Sequence, residues 1–264
     1  MRLGLTSAAF YGRMETEDAA GFLTQLDIDC CEVFLETFSE YSADFAATVR
    51  RNLGNLPCVS VHPKSTQFEP DLFGQSARQR DDALHTFTRV LDAGQQLGAK
   101  YYVLHGPVSV IGRVTLPRIR ALEERFDMMR EAARAHGIEI LWENVYYGAV
   151  SSADDFRAIL ARLPDLNFVL DVKQAWRGQA DPIALAREFG SRVRHLHLLD
   201  RTVAGDICLP GDGCFDIPLL LRVLADSGYT GDVIIEPYAY QTEDGDALRR
   251  SIGYVRNLIA RIGG

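Results

Sequence analysis

Several features are missing from this 264-residue sequence, and each absence excludes a class of protein. No apolar run approaches the roughly 18 residues that a membrane-spanning helix needs. Basic residues are in deficit, because 28 Lys and Arg against 36 Asp and Glu give a net charge of −8. Proteins that hold nucleic acid by its phosphates usually carry a basic surplus. We therefore expect neither a membrane nor a nucleic acid as a partner.

Paired cysteines and nucleotide-binding motifs are missing as well. The five cysteines are odd in number and form no CxxC pair, which predicts free thiols in a reducing cytoplasm. The N-terminal segment leads directly into a predicted strand, so we do not interpret it as a signal peptide. No GxGxxG follows that strand, and we expect no nucleotide cofactor. No linker divides the chain, so residues 1–264 are predicted to form a single domain. A homo-oligomer is left open.

What the sequence does contain is a regular alternation of short apolar strands and longer helical patterns. The predicted strands are Leu3–Ser7, Cys31–Glu36, Cys58–His62, Tyr101–His105, Glu139–Glu143, Phe168–Asp171, Val193–Leu199 and Val233–Glu236. The predicted helices are Glu17–Gln25, Ala43–Leu53, Ala77–Leu97, Leu116–His136, Ala153–Arg162, Pro182–Phe189, Pro218–Ser227 and Asp246–Arg261. Eight strand–helix units favour an α/β fold of the (β/α)8 TIM-barrel type. A doubly wound sheet is the alternative, but it usually has fewer units.

Six consecutive predicted strands end on a histidine or a carboxylate. In chain order these residues are His62, His105, Glu143, Asp171, His197 and Glu236. In a barrel, the carboxyl ends of the strands face one mouth, where active sites lie. Three carboxylates there would repel one another, and a divalent cation relieves that repulsion. Imidazole and carboxylate donors suit Zn²⁺, Mn²⁺ or Co²⁺ more than Ca²⁺. The expected cofactor is a divalent metal, with Mn, Zn, Co and Mg as candidates.

The motifs around these residues resemble a known superfamily. LHGP, WEN, LDxxQ, HLHLLD, PGDGxxD and IIEPY, in this order, resemble the xylose-isomerase-like TIM barrels over nearly the whole chain. That superfamily joins sugar and sugar-phosphate isomerases and epimerases to endonuclease IV. The resemblance implies one metal held by Glu143, Asp171, His197 and Glu236. It also implies that His62 and His105 match residues that help to hold further zinc ions in the endonuclease branch.

Gln174 departs from the pattern of the superfamily, which commonly has a histidine there in a DxxH motif. An amide is a poor zinc ligand but a good partner for a hydroxyl. Two other ligands of the endonuclease's third zinc align with Gly205 and Ile207, which cannot bind a metal through their side chains. The third metal site is therefore predicted to be absent, and one or two metals are left open.

These observations predict a metal-dependent isomerase or epimerase that acts on a small ketose or sugar phosphate through an enediolate. Glu143 and Glu236 are the candidate acid–base pair, and Asp171 and His197 are then mainly ligands. Gln174, Lys173 and Arg201 are expected to bind the substrate. The alternatives are an endonuclease IV-like phosphodiesterase, an inosose-type dehydratase and a barrel that binds sugar without catalysis.

Other polar residues near the predicted mouth allow two interpretations each. Asp200 either orients the metal ligands or caps a loop. The loop LPGDGCFD either brings backbone amides to a phosphate or only turns the chain into the next helix. His195 is interpreted as an interior residue with a hydrogen bond, and Trp142 as a residue that faces the outer helices.

Overall fold

The protein is described here from a computed structural model that covers residues 1–108, 119 and 121–262. Among these residues, eight parallel strands close into a barrel in the order β1-β10-β7-β6-β5-β4-β3-β2. The barrel strands are β1 (Arg2–Thr6), β2 (Cys30–Leu35), β3 (Cys58–Pro63), β4 (Tyr101–Leu104), β5 (Glu139–Glu143), β6 (Asn167–Asp171), β7 (Val193–Leu198) and β10 (Asp232–Ile235). Strands β8 (Asp200–Arg201) and β9 (Ile207–Cys208) form a small antiparallel hairpin beyond β7. The predicted TIM barrel is confirmed.

The helices surround this barrel. They are α1 (Thr16–Leu23), α2 (Ala43–Leu53), α3 (Glu69–Leu72), α4 (Ala77–Leu97), α5 (Leu122–Ala135), α6 (Ala153–Arg162), α7 (Val172–Arg177), α8 (Pro182–Phe189), α9 (Ile217–Asp226) and α10 (Gly245–Ile262). Helices α2, α4, α6 and α8 have the predicted bounds. The helix predicted to begin at residue 116 is observed from Leu122, and residues 116–118 and 120 lie outside the described residues. The short helices α3 and α7 were not predicted. No helix in the described part of the chain is long and apolar enough to cross a membrane.

Side chains at the helix N-termini explain why several helices begin where they do. Ser42, Ser76 and Ser152 each accept a hydrogen bond from a backbone N–H in the first turn of α2, α4 and α6. Asp181 and Asp216 cap α8 and α9 in the same way, as their position before a proline predicts. Each such cap typically stabilises a helix by about 1 kcal/mol. These signals are local, which is why the sequence shows them.

Alternation along the strands separates an outer apolar layer from the interior of the barrel. In β6, Phe168 and Leu170 belong to the large core between strands and helices, while Val169 packs with Val103 and Leu141 in a separate small cluster. In β5, Trp142 lies in the outer core, against Phe73 and Phe126, as predicted. The interior positions nearest the carboxyl ends of the strands are polar. They form the candidate site.

Closure of the barrel depends on the pairing of its first and last strands. Arg2 of β1 lies opposite Asp232 of β10 in register. Its Nε and Nη2 donate to the two carboxylate oxygens of Asp232 at 2.8 and 2.9 Å. The paired strands bring Glu236, immediately after β10, beside the residues of β5 to β7.

Candidate metal centre in the mouth of the barrel

Four of the predicted ligands converge in the barrel mouth. Nδ1 of His197 lies 3.4 Å from Oε1 of Glu143, 3.9 Å from Oδ2 of Asp171 and 3.6 Å from Oε2 of Glu236. The four ligand atoms all lie within 4.8 Å of one another. Donor atoms that bind one Zn²⁺ at about 2.0–2.2 Å have such mutual spacings. We call these four residues the mouth cluster.

Among the described residues, three buried polar atoms of the mouth cluster have no hydrogen-bond partner. One is Oε2 of Glu143, which faces His62 and His105. The other two are Oδ2 of Asp171 and Nδ1 of His197, on side chains that are about 1% exposed or less. Buried polar atoms in folded proteins are nearly always satisfied, so two unmet atoms that face the same point need an explanation. A divalent cation at that point would satisfy both. The residues therefore fit a metal.

His62 and His105 form a second group with Glu143. Nε2 of His105 lies 2.8 Å from Oε2 of Glu143 and 3.1 Å from Nε2 of His62. The opposite ring nitrogens are held by polar neighbours. Nδ1 of His62 bonds the carbonyl oxygen of Pro63 at 2.9 Å, and Nδ1 of His105 lies 2.6 Å from Oγ of Ser65. Partners of this kind orient a metal-binding imidazole. The two groups share Glu143.

Glu32 is a buried carboxylate of the site that the sequence analysis missed. Its Oε2 accepts a hydrogen bond from Oγ of Ser60 at 2.8 Å and lies 3.2 Å from Nε2 of His197. His195 also contacts this oxygen, at 3.3 Å, so its predicted interior position with a hydrogen-bonding partner is confirmed. Glu32 thus orients the ring of His197 from behind. A signal was present in the sequence, because an acid between Cys31 and Val33 in a predicted strand is unusual.

Two further polar residues hold the strand ends in place. Asn144 donates from Nδ2 to the carbonyl oxygen of Asp171 at 2.8 Å and accepts from the Asp171 N–H at 2.7 Å. Glu69 of α3 is fully buried and accepts hydrogen bonds from the hydroxyl of Tyr102 and the N–H of His105. Both residues fix backbone at the point where a ligand side chain leaves its strand.

The charges of the mouth cluster strongly perturb its ionisation. Burial raises the pKa of Asp171 well above its usual value, and the neighbouring charge of Lys173 does not offset this. Burial by itself lowers the pKa of His197, but the charges of Glu32 and Glu236 raise it well above the ordinary range. His62 behaves similarly, because Glu143 and Glu32 raise its pKa to about 9 despite burial. The buried glutamates therefore favour the protonated, positively charged forms of His62 and His197.

Lys173 and Gln174 lie at the start of α7, directly beside the mouth cluster. Nζ of Lys173 is buried and donates to Oε2 of Glu236 at 2.7 Å, and it lies 3.7 Å from Oδ2 of Asp171. The backbone N–H of Gln174 donates to Oδ1 of Asp171, while its side-chain Oε1 is buried without a partner. Both residues line the cavity that opens onto the cluster. Their contact with substrate stays a prediction.

The cavity in front of the cluster has a volume of about 300 Å³. Its walls include His62, His105, Glu143, Lys173, Gln174 and Glu236, together with Tyr11, Phe34 and Tyr238. Ligand cavities of small molecules begin at about this size. Arg201 does not line this cavity. It is exposed and lies over the ring of Trp176, at 4.8 Å, in an adjoining cavity.

Asp200 and the loop LPGDGCFD, residues 209–216, have a structural role. We call this segment the glycine loop. The carboxylate of Asp200 is buried and accepts hydrogen bonds from the backbone N–H groups of Arg201, Gly211, Gly213 and Phe215, at 2.8 to 3.2 Å. Of the two interpretations of Asp200, the structure supports the one in which this carboxylate caps a loop. The amides of Gly211, Gly213 and Phe215 are directed at Asp200, so they are not free to bind a phosphate.

Comparisons with known proteins agree with this architecture. The family model described as "Xylose isomerase-like TIM barrel" matches residues 21–258. Fructoselysine 3-epimerase of Escherichia coli O157:H7 is 24% identical over 190 residues, which are 69% of this chain and 68% of that protein. A crystal structure of D-psicose 3-epimerase in the presence of D-fructose has a TM-score of 0.81 at 17% identity, with 100% of both chains covered. The structure of the IOLI protein with a bound zinc atom has a TM-score of 0.77 at 16% identity and covers 99% of this chain and 98% of that one.

Proposed function

The chain belongs to the xylose isomerase-like TIM barrel family, and from that premise we propose that it is a divalent-metal-dependent isomerase or epimerase of a small ketose or sugar phosphate. The observation that carries this proposal is the mouth cluster. Its two glutamates come from the end of β10 and from β5, which flank the strands of the histidine and the aspartate, β7 and β6, in the barrel. The name of the fructoselysine epimerase relative supports the same class of reaction.

The metal would be held by Glu143, Asp171, His197 and Glu236, whose unmet atoms fit a cation. When bound, it would polarise the substrate carbonyl and make the neighbouring carbon more acidic. The zinc atom of the IOLI structure supports zinc. Mn, Co and Mg are further candidates, because imidazole and carboxylate donors also bind such ions. His62, His105 and Glu143 form a proposed second metal group. Elemental analysis of the purified protein would give the number of bound ions.

Glu143 and Glu236 are the proposed acid–base pair. They come from β5 and from the end of β10, and both line the 300 Å³ cavity. One glutamate, as the carboxylate, removes the proton from the carbon beside the carbonyl. The other, as the carboxylic acid, returns a proton to the opposite face of the enediolate, and the two have then exchanged protonation states. Inversion at a carbon needs two such groups. Lys173, which pairs with Glu236, keeps that carboxylate oriented.

Gln174 is proposed to bind a substrate hydroxyl. Its Oε1 has no hydrogen-bond partner among residues 1–108, 119 and 121–262, and an amide oxygen accepts a hydrogen bond from a hydroxyl. Asp171 and His197 then serve mainly as ligands, while Asp200 shapes the rim of the site.

The test of this proposal is proton exchange. Protein loaded with Mn²⁺ or Zn²⁺ is incubated with ketohexoses and their phosphates in D₂O. We expect deuterium at the carbon beside the carbonyl, together with an epimer or isomer, detected by NMR. Glu143→Gln should lose the exchange, while His85→Ala, at an exposed position of α4, should keep it. Absence of exchange with every member of the panel would contradict the proposal, and loss of water would indicate a dehydratase.

A further inference from the structure

A second cavity of about 550 Å³ adjoins the cavity of the metal centre. Two arginines line it, Arg177 at the end of α7 and Arg201 in β8, together with the exposed acid Asp206. Tyr238 is common to the walls of both cavities. A molecule whose reacting carbons lie beside Glu143 and Glu236 would therefore meet this second cavity if it extends past Tyr238. We call the second cavity the arginine vestibule.

Both guanidinium groups of the vestibule lie against aromatic rings. Cζ of Arg201 is 4.8 Å from the ring centre of Trp176. Cζ of Arg177 is 5.4 Å from the ring centre of Tyr238 and 5.6 Å from that of Tyr146. An aromatic ring that stacks on a guanidinium orients its plane and leaves the N–H groups at its edge free. Those N–H groups can donate two parallel hydrogen bonds to the oxygens of a carboxylate or a phosphate.

Neither arginine of the vestibule forms an ion pair with a carboxylate within the described part of the chain. Other arginines of the protein do, as Arg157 does with Glu188 and Arg256 with Asp29. Asp206 lies in the same wall, but it makes no such pair with either arginine. Two arginines and one aspartate give the cavity a charge of about +1, on a protein whose net charge is −8.

Two other anion-binding groups of the mouth, within the described residues, are already occupied. The ammonium of Lys173 donates to Glu236, at 2.7 Å. The amides of Gly211, Gly213 and Phe215 donate to Asp200, so they offer no free nest for a phosphate. Lys64 lines the metal cavity itself and donates to the hydroxyl of Tyr11. In the described part of the chain, the cations that line the cavity beyond Tyr238 are Arg177 and Arg201.

We propose that the arginine vestibule binds a terminal phosphate or carboxylate of the sugar whose reacting carbons lie in the metal cavity. This inference rests on the proposed function and deepens it, because it names an anionic sugar as the substrate class. The two oxyanions share one recognition chemistry, and the experiment distinguishes them.

The first test compares a ketohexose, its 6-phosphate and the corresponding ketouronate. We expect kcat/KM to be at least about tenfold higher for the phosphate or for the ketouronate than for the neutral sugar. Arg177→Met and Arg201→Met should each lower kcat/KM for the preferred anion by about ten- to a hundredfold, the usual effect of losing a hydrogen bond to a charged group. The neutral ketose should change less than about threefold. Arg222→Met, at an exposed position of α9, is the matched control and should change neither.

The second test is independent of turnover. Inorganic phosphate is titrated into the wild-type protein and into the Arg177→Met/Arg201→Met double variant, and heat release is measured. Saturable binding that the double variant loses supports the vestibule, even if no ketose is epimerised and the proposed function fails. Turnover of a neutral ketose with no preference for either anion, and with no effect of the arginine variants, would overturn the vestibule while leaving the function intact. Equal phosphate binding by both proteins would overturn it as well.

Discussion

Asp171 and His197 each present a buried polar atom that has no hydrogen-bond partner in the part of the chain that the structure describes. Each such atom typically lowers the free energy of unfolding by about 1–3 kcal/mol. Two of them directed at one point therefore destabilise the metal-free protein substantially. At the scale of the residue, this is the physical basis of the proposed metal centre.

We expect His197→Ala and Asp171→Ala to lose most of their bound metal, because each removes a donor that points at the common centre. Elemental analysis of protein purified without chelator measures this. His85→Ala is the control, since His85 is exposed on α4. Metal at full occupancy in both site variants would contradict the centre, provided circular dichroism shows them folded.

Gln174→Ala should affect substrate and leave the metal in place. The contact of residue 174 with Asp171 comes from its backbone N–H, which alanine retains. Loss of one hydrogen bond to a substrate hydroxyl should cost about 1–2 kcal/mol, which is roughly ten- to thirtyfold in kcat/KM. Steady-state kinetics and metal analysis of the same preparation separate the two effects. Unchanged kinetics would mean that the amide does not contact substrate.

At the scale of the element, the backbone conformation of the segment from β8 to α9 depends on the carboxylate of Asp200. Asp200 holds four backbone amides of this segment, and an added Cβ at Gly213 would collide with Asp200 and with the backbone oxygen of Arg201. The segment carries Arg201 and one wall of the vestibule. Its conformation is therefore a condition for that cavity.

Asp200→Ala should destabilise the protein by about 1–3 kcal/mol, because buried backbone donors lose their acceptor. Urea unfolding would measure the loss, and limited proteolysis should show earlier cleavage between residues 201 and 215. Asp212→Ala is the matched control, at an exposed position in the same loop. Equal stability of the two variants would show that water replaces the carboxylate of Asp200 as the acceptor for these amides.

At the scale of the whole molecule, the net charge bears on the endonuclease alternative. A net charge of −8 repels a polyanion unless a basic stripe lines the mouth. Of the cations that could supply one, Lys173 is paired with Glu236 and Lys64 donates to the hydroxyl of Tyr11. Arg177 and Arg201 line the vestibule without an ion pair among the described residues, but they share it with Asp206. Arg113 lies outside the described residues. The resemblance to the endonuclease branch implies that its third-zinc ligands align with Gln174, Gly205 and Ile207, and this stays a prediction.

We therefore expect no useful cleavage of DNA at an abasic site. The assay uses a labelled duplex with one abasic analogue, incubated with zinc- or manganese-loaded protein at low salt. Endonuclease IV in parallel shows that the substrate is competent. Robust incision that disappears in Glu143→Ala would overturn the proposed isomerase or epimerase.

The sequence by itself determined the fold class and most of the helices. Periodicity and caps such as Ser152 and Asp181 act within a few residues, so they can be read without tertiary contacts. The order of polar strand ends predicted the mouth cluster, because the carboxyl ends of barrel strands share one face. The predicted family and the TIM barrel are confirmed. The assignment of residues 1–264 to one domain stays a prediction.

Only the tertiary structure decided which polar groups are already occupied. Glu32 and His197 are 165 positions apart, and their contact exists because closure of the barrel brings β2 and β7, which are not neighbours in the sheet, to one shared interior. The ion pair of Lys173 with Glu236, the cap of Asp200 on the glycine loop and the separation of Arg201 from the metal cavity likewise depend on where distant segments meet. A residue's type shows what it can bind, but its partner is set by long-range packing, which no local pattern encodes.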